Sequence, residues 1–119
     1  MEKEEFNEMM RNKTKDIAVR VVKMYAKTPK NDEFIVIGKQ MVRSATSVAA
    51  NYRAACRARS VREFFAKISI VIEEADETLF WLEILEEAEI IHAEKLSLLK
   101  NDITEVLKIV ATARKNTKI

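Results

Sequence analysis

The stretch NYRAACRARS, Asn51 to Ser60, decides the fold; it holds three arginines and a cysteine but no Gly or Pro. Before it, Phe34, Ile37, Met41, Ala45, Val48, Tyr52 and Ala55 recur three or four residues apart. That spacing is the seam of a helix in a bundle, so NYRAACRA reads as its last two turns. After it, Val61, Phe65, Ile68, Ile72, Ala75, Leu79 and Leu82 alternate spacings of four and three. Ser60-Val61-Arg62-Glu63 between the two has the form of a capping box. In that motif Ser60 accepts from the Glu63 amide and the Glu63 carboxylate reaches back. Two long helices thus meet at a tight turn.

Working outward, a helix is expected from about Glu4 to Lys27, with Phe6, Met10, Ile17, Val21 and Met24 on one stripe. Pro29 in TPKND, Thr28 to Asp32, disfavours helix before it, and Asp32 is the expected N-cap of the next. That second helix runs from about Glu33 to Ala58. It contains Gly38, which costs about 1 kcal/mol relative to Ala, and small residues (Ala45, Ala49, Ala50, Ala54, Ala55) that permit close helix approach. The third helix ends near Ala88 and EIIHAE forms the last connection. The fourth shows Leu96, Leu99, Ile103, Val106, Val110 and Ala113. Four amphipathic helices with short connections define an all-α, antiparallel up-and-down four-helix bundle. Helices of this length make a rod of roughly 38 Å.

The composition agrees. A chain of 119 residues is one domain, residues 1–119, large enough for a core without disulfides or metals. One Gly and one Pro argue against a turn-dense β architecture. A single Cys permits no internal disulfide, which points to a reducing, cytoplasmic setting. No apolar run approaches the roughly 18–20 residues of a membrane span, and the charged start MEKEEFNEMMRNK lacks the apolar region of a signal peptide.

The net charge of +2 conceals a segregation. Residues 39–67 carry seven bases (Lys39, Arg43, Arg53, Arg57, Arg59, Arg62, Lys67) against one acid, a local charge of +6. Residues 68–94 carry nine acids and no Lys or Arg, a local charge of −9. At 100° per residue Lys39, Arg43, Arg53 and Arg57 fall within about 80° of each other, away from Val48 and Tyr52. Arg59 and Arg62 extend this patch around the turn. A basic patch on a rigid helix end fits RNA or DNA phosphates. It fits equally an acidic helix face, of its own or another chain.

On the third helix Ile70, Trp81 and Ile84 project away from the seam, with Glu77 among them. An exposed aromatic among aliphatic residues marks an interface, so these four residues are the expected oligomer contact. The alternative is a helix buried on more than one side.

Catalytic and cofactor signatures do not assemble. Bundle di-iron sites need two Glu-x-x-His elements and two further Glu. Here Glu89-Ile-Ile-His92 is the only such spacing and His92 the only histidine, so no metal or other cofactor is expected. One His with Cys56 in another segment makes no triad, and a chain with one Gly has no phosphate-cradling Gly-rich loop. Cys56 reads as a small apolar residue beside the seam, and His92 as part of a connection.

The segment Gln40 to Ile91 also carries a set of short motifs: Arg43-Ser44, Ser47-Val48, Ala50-Asn51-Tyr52, Arg57-Ala58-Arg59-Ser60, Phe64, Glu74-Ala75-Asp76-Glu77-Thr78 and Trp81-Leu82-Glu83. Together they resemble the bacterial four-helix-bundle proteins named after the 23S rRNA intervening sequences that encode some members. The resemblance covers nearly half the chain. It implies a helical bundle that assembles as a homopentamer. It also implies kinship with the accessory protein of diversity-generating retroelements, a basic pentamer that binds nucleic acid and a reverse transcriptase. Ala54 departs from the family pattern, which usually has Glu after the Asn-aromatic pair.

The leading expectation is therefore a non-enzymatic, homo-oligomeric scaffold that binds RNA or DNA through Lys39, Arg43, Arg53, Arg57, Arg59 and Arg62. Its partners would be copies of itself, a nucleic acid, and a reverse transcriptase or other protein, and no membrane. The alternative is a protein-interaction module without nucleic-acid binding.

Overall fold

The computed structural model describes residues 1–119 as four helices: α1 (Lys3–Lys27), α2 (Asp32–Cys56), α3 (Val61–Glu87) and α4 (Ala93–Lys115). Each packs on its neighbour in sequence. α1 and α4 close the ring along only a short stretch, with extents of 45 × 24 × 20 Å. This is the up-and-down bundle that the four apolar stripes predict. Two ion pairs span the α1–α4 gap: Lys13 with Glu105 at 3.0 Å and Arg20 with Asp102 at 2.7 Å.

The helix ends follow local chemistry. The Thr28 amide and hydroxyl both donate to the Met24 carbonyl and finish α1 before Pro29. Asn31, not Asp32, caps α2: its side-chain oxygen accepts from the Phe34 amide at 2.8 Å. Asp32 instead occupies the first turn, where a carboxylate complements the helix dipole. α2 stops at Cys56, two residues before the expected end. Ser60 caps α3 by accepting from the Glu63 amide at 3.0 Å. The box is half-formed, because the Glu63 carboxylate turns to Arg59 at 3.6 Å rather than back to the Ser60 amide.

α3 ends in a Schellman arrangement. The Ile90 amide donates to the Leu85 carbonyl at 2.9 Å and the Glu89 amide to Glu86 at 3.0 Å. Glu89 takes the left-handed position with φ 59°, which glycine usually fills.

One core runs the length of the bundle. It includes Met10, Ile17, Val21, Phe34, Met41, Val48, Ile68, Val71, Leu82, Leu85, Leu96, Ile103 and Val110. On α3 the buried stripe is Ile68, Val71, Ala75, Thr78, Leu82 and Leu85, rotated from the expected one. Phe65, Ile72 and Leu79 are half-buried and Val61 is 53% exposed. The reason is that α3 lies between α2 and α4, so its innermost line bisects the two contacts. Thr78, passed over as polar, belongs to that line because its hydroxyl lies 2.8 Å from both the Ser44 hydroxyl and the Glu74 carbonyl.

Gly38 is buried for a steric reason. A Cβ there would lie 2.7 Å from the Tyr25 ring and 3.2 Å from Phe34. The missing side chain lets Tyr25 of α1 stack on Phe34 of α2, with centroids 5.3 Å apart.

Candidate nucleic-acid interface

The structure divides the predicted basic patch. Arg43 faces α3, with one guanidinium nitrogen 2.9 Å from Glu74 and the other paired to Glu77. Lys39 is exposed but lies about 27 Å along α2 from Arg57, at 1.5 Å per residue. Arg53 and Arg57 lie on the α1 side of the same broad face. There they line a shallow groove of about 430 Å³ with Arg11, Asn12 and Lys15, over a floor of Ala49 and Ala50. The small floor residues let the two helices approach and leave the cations as rims.

Lys15, Arg53 and Arg57 have no carboxylate partner, and Arg11 holds only the exposed Glu4 at 3.0 Å. Arg59 and Arg62 stand at the adjoining turn; Arg59 is 89% exposed and loosely paired with Glu63, and Arg62 is exposed and unpaired. Arg11 and Lys15 were missed in the sequence because α1 carries acids as well. Their one-turn spacing was the available signal.

The antiparallel topology also separates the charges. Arg62 lies in the first turn of α3 and Glu87 ends it, about 38 Å apart. Several Debye lengths of roughly 8 Å at physiological salt lie between them, so the acids of the far end barely act on the groove.

A second concavity of about 650 Å³ lies at the same end, between the start of α1, the α2–α3 turn and the end of α4. Phe6, Val61 and Phe64 line it, with Cys56 at its edge. Cys56 is half-buried and unpaired. Burial, then the neighbouring Cys56, pushes the Tyr52 phenol well above its usual pKa.

The predicted oligomer residues lie together on α3. Ile70 is 36% exposed, while Glu77, Trp81 and Ile84 are half-buried. Trp81 packs partly against the core, donates its indole N–H to Glu77 at 2.9 Å and meets the Phe80 ring edge-on with centroids 5.0 Å apart. The Trp81 hydrogen bond first, and the Arg43 pair next, hold the Glu77 carboxyl below its ordinary pKa. Phe80, 49% exposed, is the more exposed of the two rings. Sequence spacing overlooked it because it lies one residue from Trp81.

His92 is exposed at the start of α4, at the opposite end of the bundle from Cys56. No group of three or more His, Cys, Asp or Glu is placed to hold a metal, and no helix is long and apolar enough to cross a membrane.

Fold and surface together define an antiparallel four-helix bundle with a basic turn end and an acidic, partly apolar α3 face. The chain belongs to the 23S rRNA-intervening sequence protein family, whose model matches residues 7–112. It is similar to a protein of unknown function of the S23 ribosomal protein family from Bacteroides thetaiotaomicron VPI-5482, seen in a crystal structure at 1.70 Å. The two are 36% identical, with 90% of this chain and 99% of that chain covered and a TM-score of 0.83. No protein of curated function matches the chain.

Proposed function

We propose that the protein is a non-enzymatic, self-assembling helical scaffold of the cytoplasm that binds RNA or DNA through its basic turn end. The observation that carries this reading is the groove itself. Lys15, Arg53 and Arg57 converge on one concavity without carboxylate partners, and no Asp or Glu lines it. These three cations, with Arg11 beside them and paired only to Glu4, repel one another, and a polyanion relieves that repulsion. The outward Ile70 and Phe80, beside the half-buried Trp81, support assembly, with five copies the number the family resemblance implies.

The second reading, an interaction module that docks on acidic protein surfaces, is favoured by Arg43. It already pairs with Glu74 and Glu77, the kind of contact a partner helix would offer. Titration with a labelled RNA at increasing salt separates the two. Nucleic-acid binding predicts a log–log slope of about −0.7 per phosphate contact for a single strand, so roughly −3 for four contacts. Arg53→Glu with Arg57→Glu should abolish binding with helicity unchanged. Absence of salt-sensitive binding at low ionic strength overturns the first reading. Light scattering of wild type and Phe80→Glu tests assembly, and a monomeric wild type overturns it.

A further inference from the structure

We propose that the cleft at the turn end seats an unpaired base of a single-stranded nucleic acid whose phosphates lie along the α1–α2 groove, so that the protein prefers single strands to duplex. This rests on the nucleic-acid reading above.

The two concavities are neighbours, since Arg57 lines the groove and the adjacent Cys56 and Ala58 line the cleft. Asn7 lines the cleft and Arg11 the groove, one helical turn apart on α1. In the α2–α3 turn, Arg57 lines the groove and Arg59 the cleft. One turn advances 5.4 Å, a distance that a single nucleotide spans, so a phosphate held at Arg11 and Arg57 places its base at the cleft.

The lining suits a base. Phe6 and Phe64 are half-buried and Val61 is 53% exposed, an apolar surface open to solvent among cations. Every nucleobase has a face that stacks on such groups whatever its sequence. The side-chain amides of Asn7 and Asn116 both line the cleft. Neither donates or accepts any hydrogen bond within the chain. An amide offers both donors and an acceptor, which base edges can use. No Asp or Glu lines the cleft either, so both concavities favour the same anionic ligand. The volume of about 650 Å³ is in the range of small-ligand sites. In a duplex the bases are stacked and paired and must be extruded at a cost before any can enter.

The test uses fluorescence anisotropy of the full chain with a labelled single-stranded oligonucleotide of mixed sequence. The same strand annealed to its complement and an abasic strand of equal length serve as comparisons at one low salt concentration. The single strand should bind roughly 5- to 100-fold more tightly than the abasic strand, the range for one stacked base, and more tightly than the duplex. Val61→Ser changes an exposed, neutral position and should erase much of that preference while leaving the salt slope unaltered. Phe6→Ala should do the same if its circular dichroism matches wild type. Equal affinity for all three ligands overturns the base-seating inference but leaves the groove reading intact. No salt-sensitive binding to any of them overturns the reading on which it rests.

Discussion

Ser44 on α2 and Thr78 on α3 bring their hydroxyls to 2.8 Å, with both residues fully buried. The pair has two protons. One lies between the hydroxyls, and a backbone carbonyl, of Glu74 at 2.8 Å or Met41 at 3.2 Å, takes the other. An apolar interface thus contains one satisfied polar link, and shifting α3 by a turn would break it, leaving each hydroxyl only the carbonyl of its own helix. Ser44→Ala should cost about 1 kcal/mol, and Thr78→Val a similar amount. The double change should cost less than the sum, because no partner is then left unpaired. Urea unfolding of the four proteins measures the coupling, and strict additivity would refute the link.

The cluster of Arg43, Glu77 and Trp81 predicts a pH dependence. The fold favours ionised Glu77, whose carboxyl is held below its ordinary value. Its contribution is therefore complete above the ordinary Glu range of about 4.3 and is lost as pH falls through the lower folded-state value. Wild type should melt higher than Glu77→Gln at about pH 6, and the gap should narrow as the pH falls below the ordinary Glu range. Trp81 fluorescence should change over the same interval, since its indole N–H donates to that carboxylate. A gap that does not narrow at all as the pH falls below the ordinary Glu range would show that ionisation of Glu77 is not the source.

Gly38→Ala sets two known effects against each other. Ala gains about 1 kcal/mol of helix propensity, but its Cβ meets the Tyr25 ring at 2.7 Å. Tyr25 is held by Phe34 on one side and the Lys30 ammonium, 4.6 Å from its ring centroid, near its face. The clash should win, and the variant should melt below wild type. In a Tyr25→Ala background the sign should reverse, with Gly38→Ala stabilising by about 1 kcal/mol. Thermal melts of the cycle decide it.

At the end of α3, Glu89 occupies a left-handed conformation that costs an L-residue roughly 1 kcal/mol. Glu89→Gly should raise stability by about that amount in urea unfolding, less some backbone entropy. A decrease would show that the Glu89 side chain contributes more than its strained backbone costs.

At the start of α3, Ser60→Ala should cost about 1 kcal/mol. Glu63→Ala should cost less, since the Glu63 carboxylate does not return to the Ser60 amide and only loosely meets Arg59. Val61→Ala should fall within about 0.5 kcal/mol of wild type because Val61 lies in solvent. A large loss from Val61→Ala would restore it to the core.

Much of the fold is legible in single residues. Met10, Ile17, Val21, Met41, Val48, Leu96, Leu99, Ile103 and Val110 are core by spacing and core in the structure. Ser60 is a cap on both counts. α3 was harder, because apolar residues cover more than half its circumference and several stripes fit the same periodicity. Leu85 and Val71 lie on the buried line, while Val61 lies off it. The candidate site was legible only in part. Arg53 and Arg57 were found, but their α1 counterparts Arg11 and Lys15 lie some forty residues away in sequence, where no local pattern joins them.

The sequence by itself determined four helices, the turns between them, the antiparallel order and the concentration of arginine at one end. These are local properties, governed by a rotation of 100° per residue, by capping side chains and by Pro29. The tertiary structure decided which arginines are already paired and which stand open. Arg43 and Arg53 lie within about 80° of each other on one helix, yet the first pairs with Glu74 and Glu77 while the second lines a groove that holds no carboxylate. Periodicity fixes where residues sit around their own helix axis. The rotation of each helix against its neighbours is set by packing, here by the small residues Gly38, Ala49 and Ala50 and the buried Ser44–Thr78 pair.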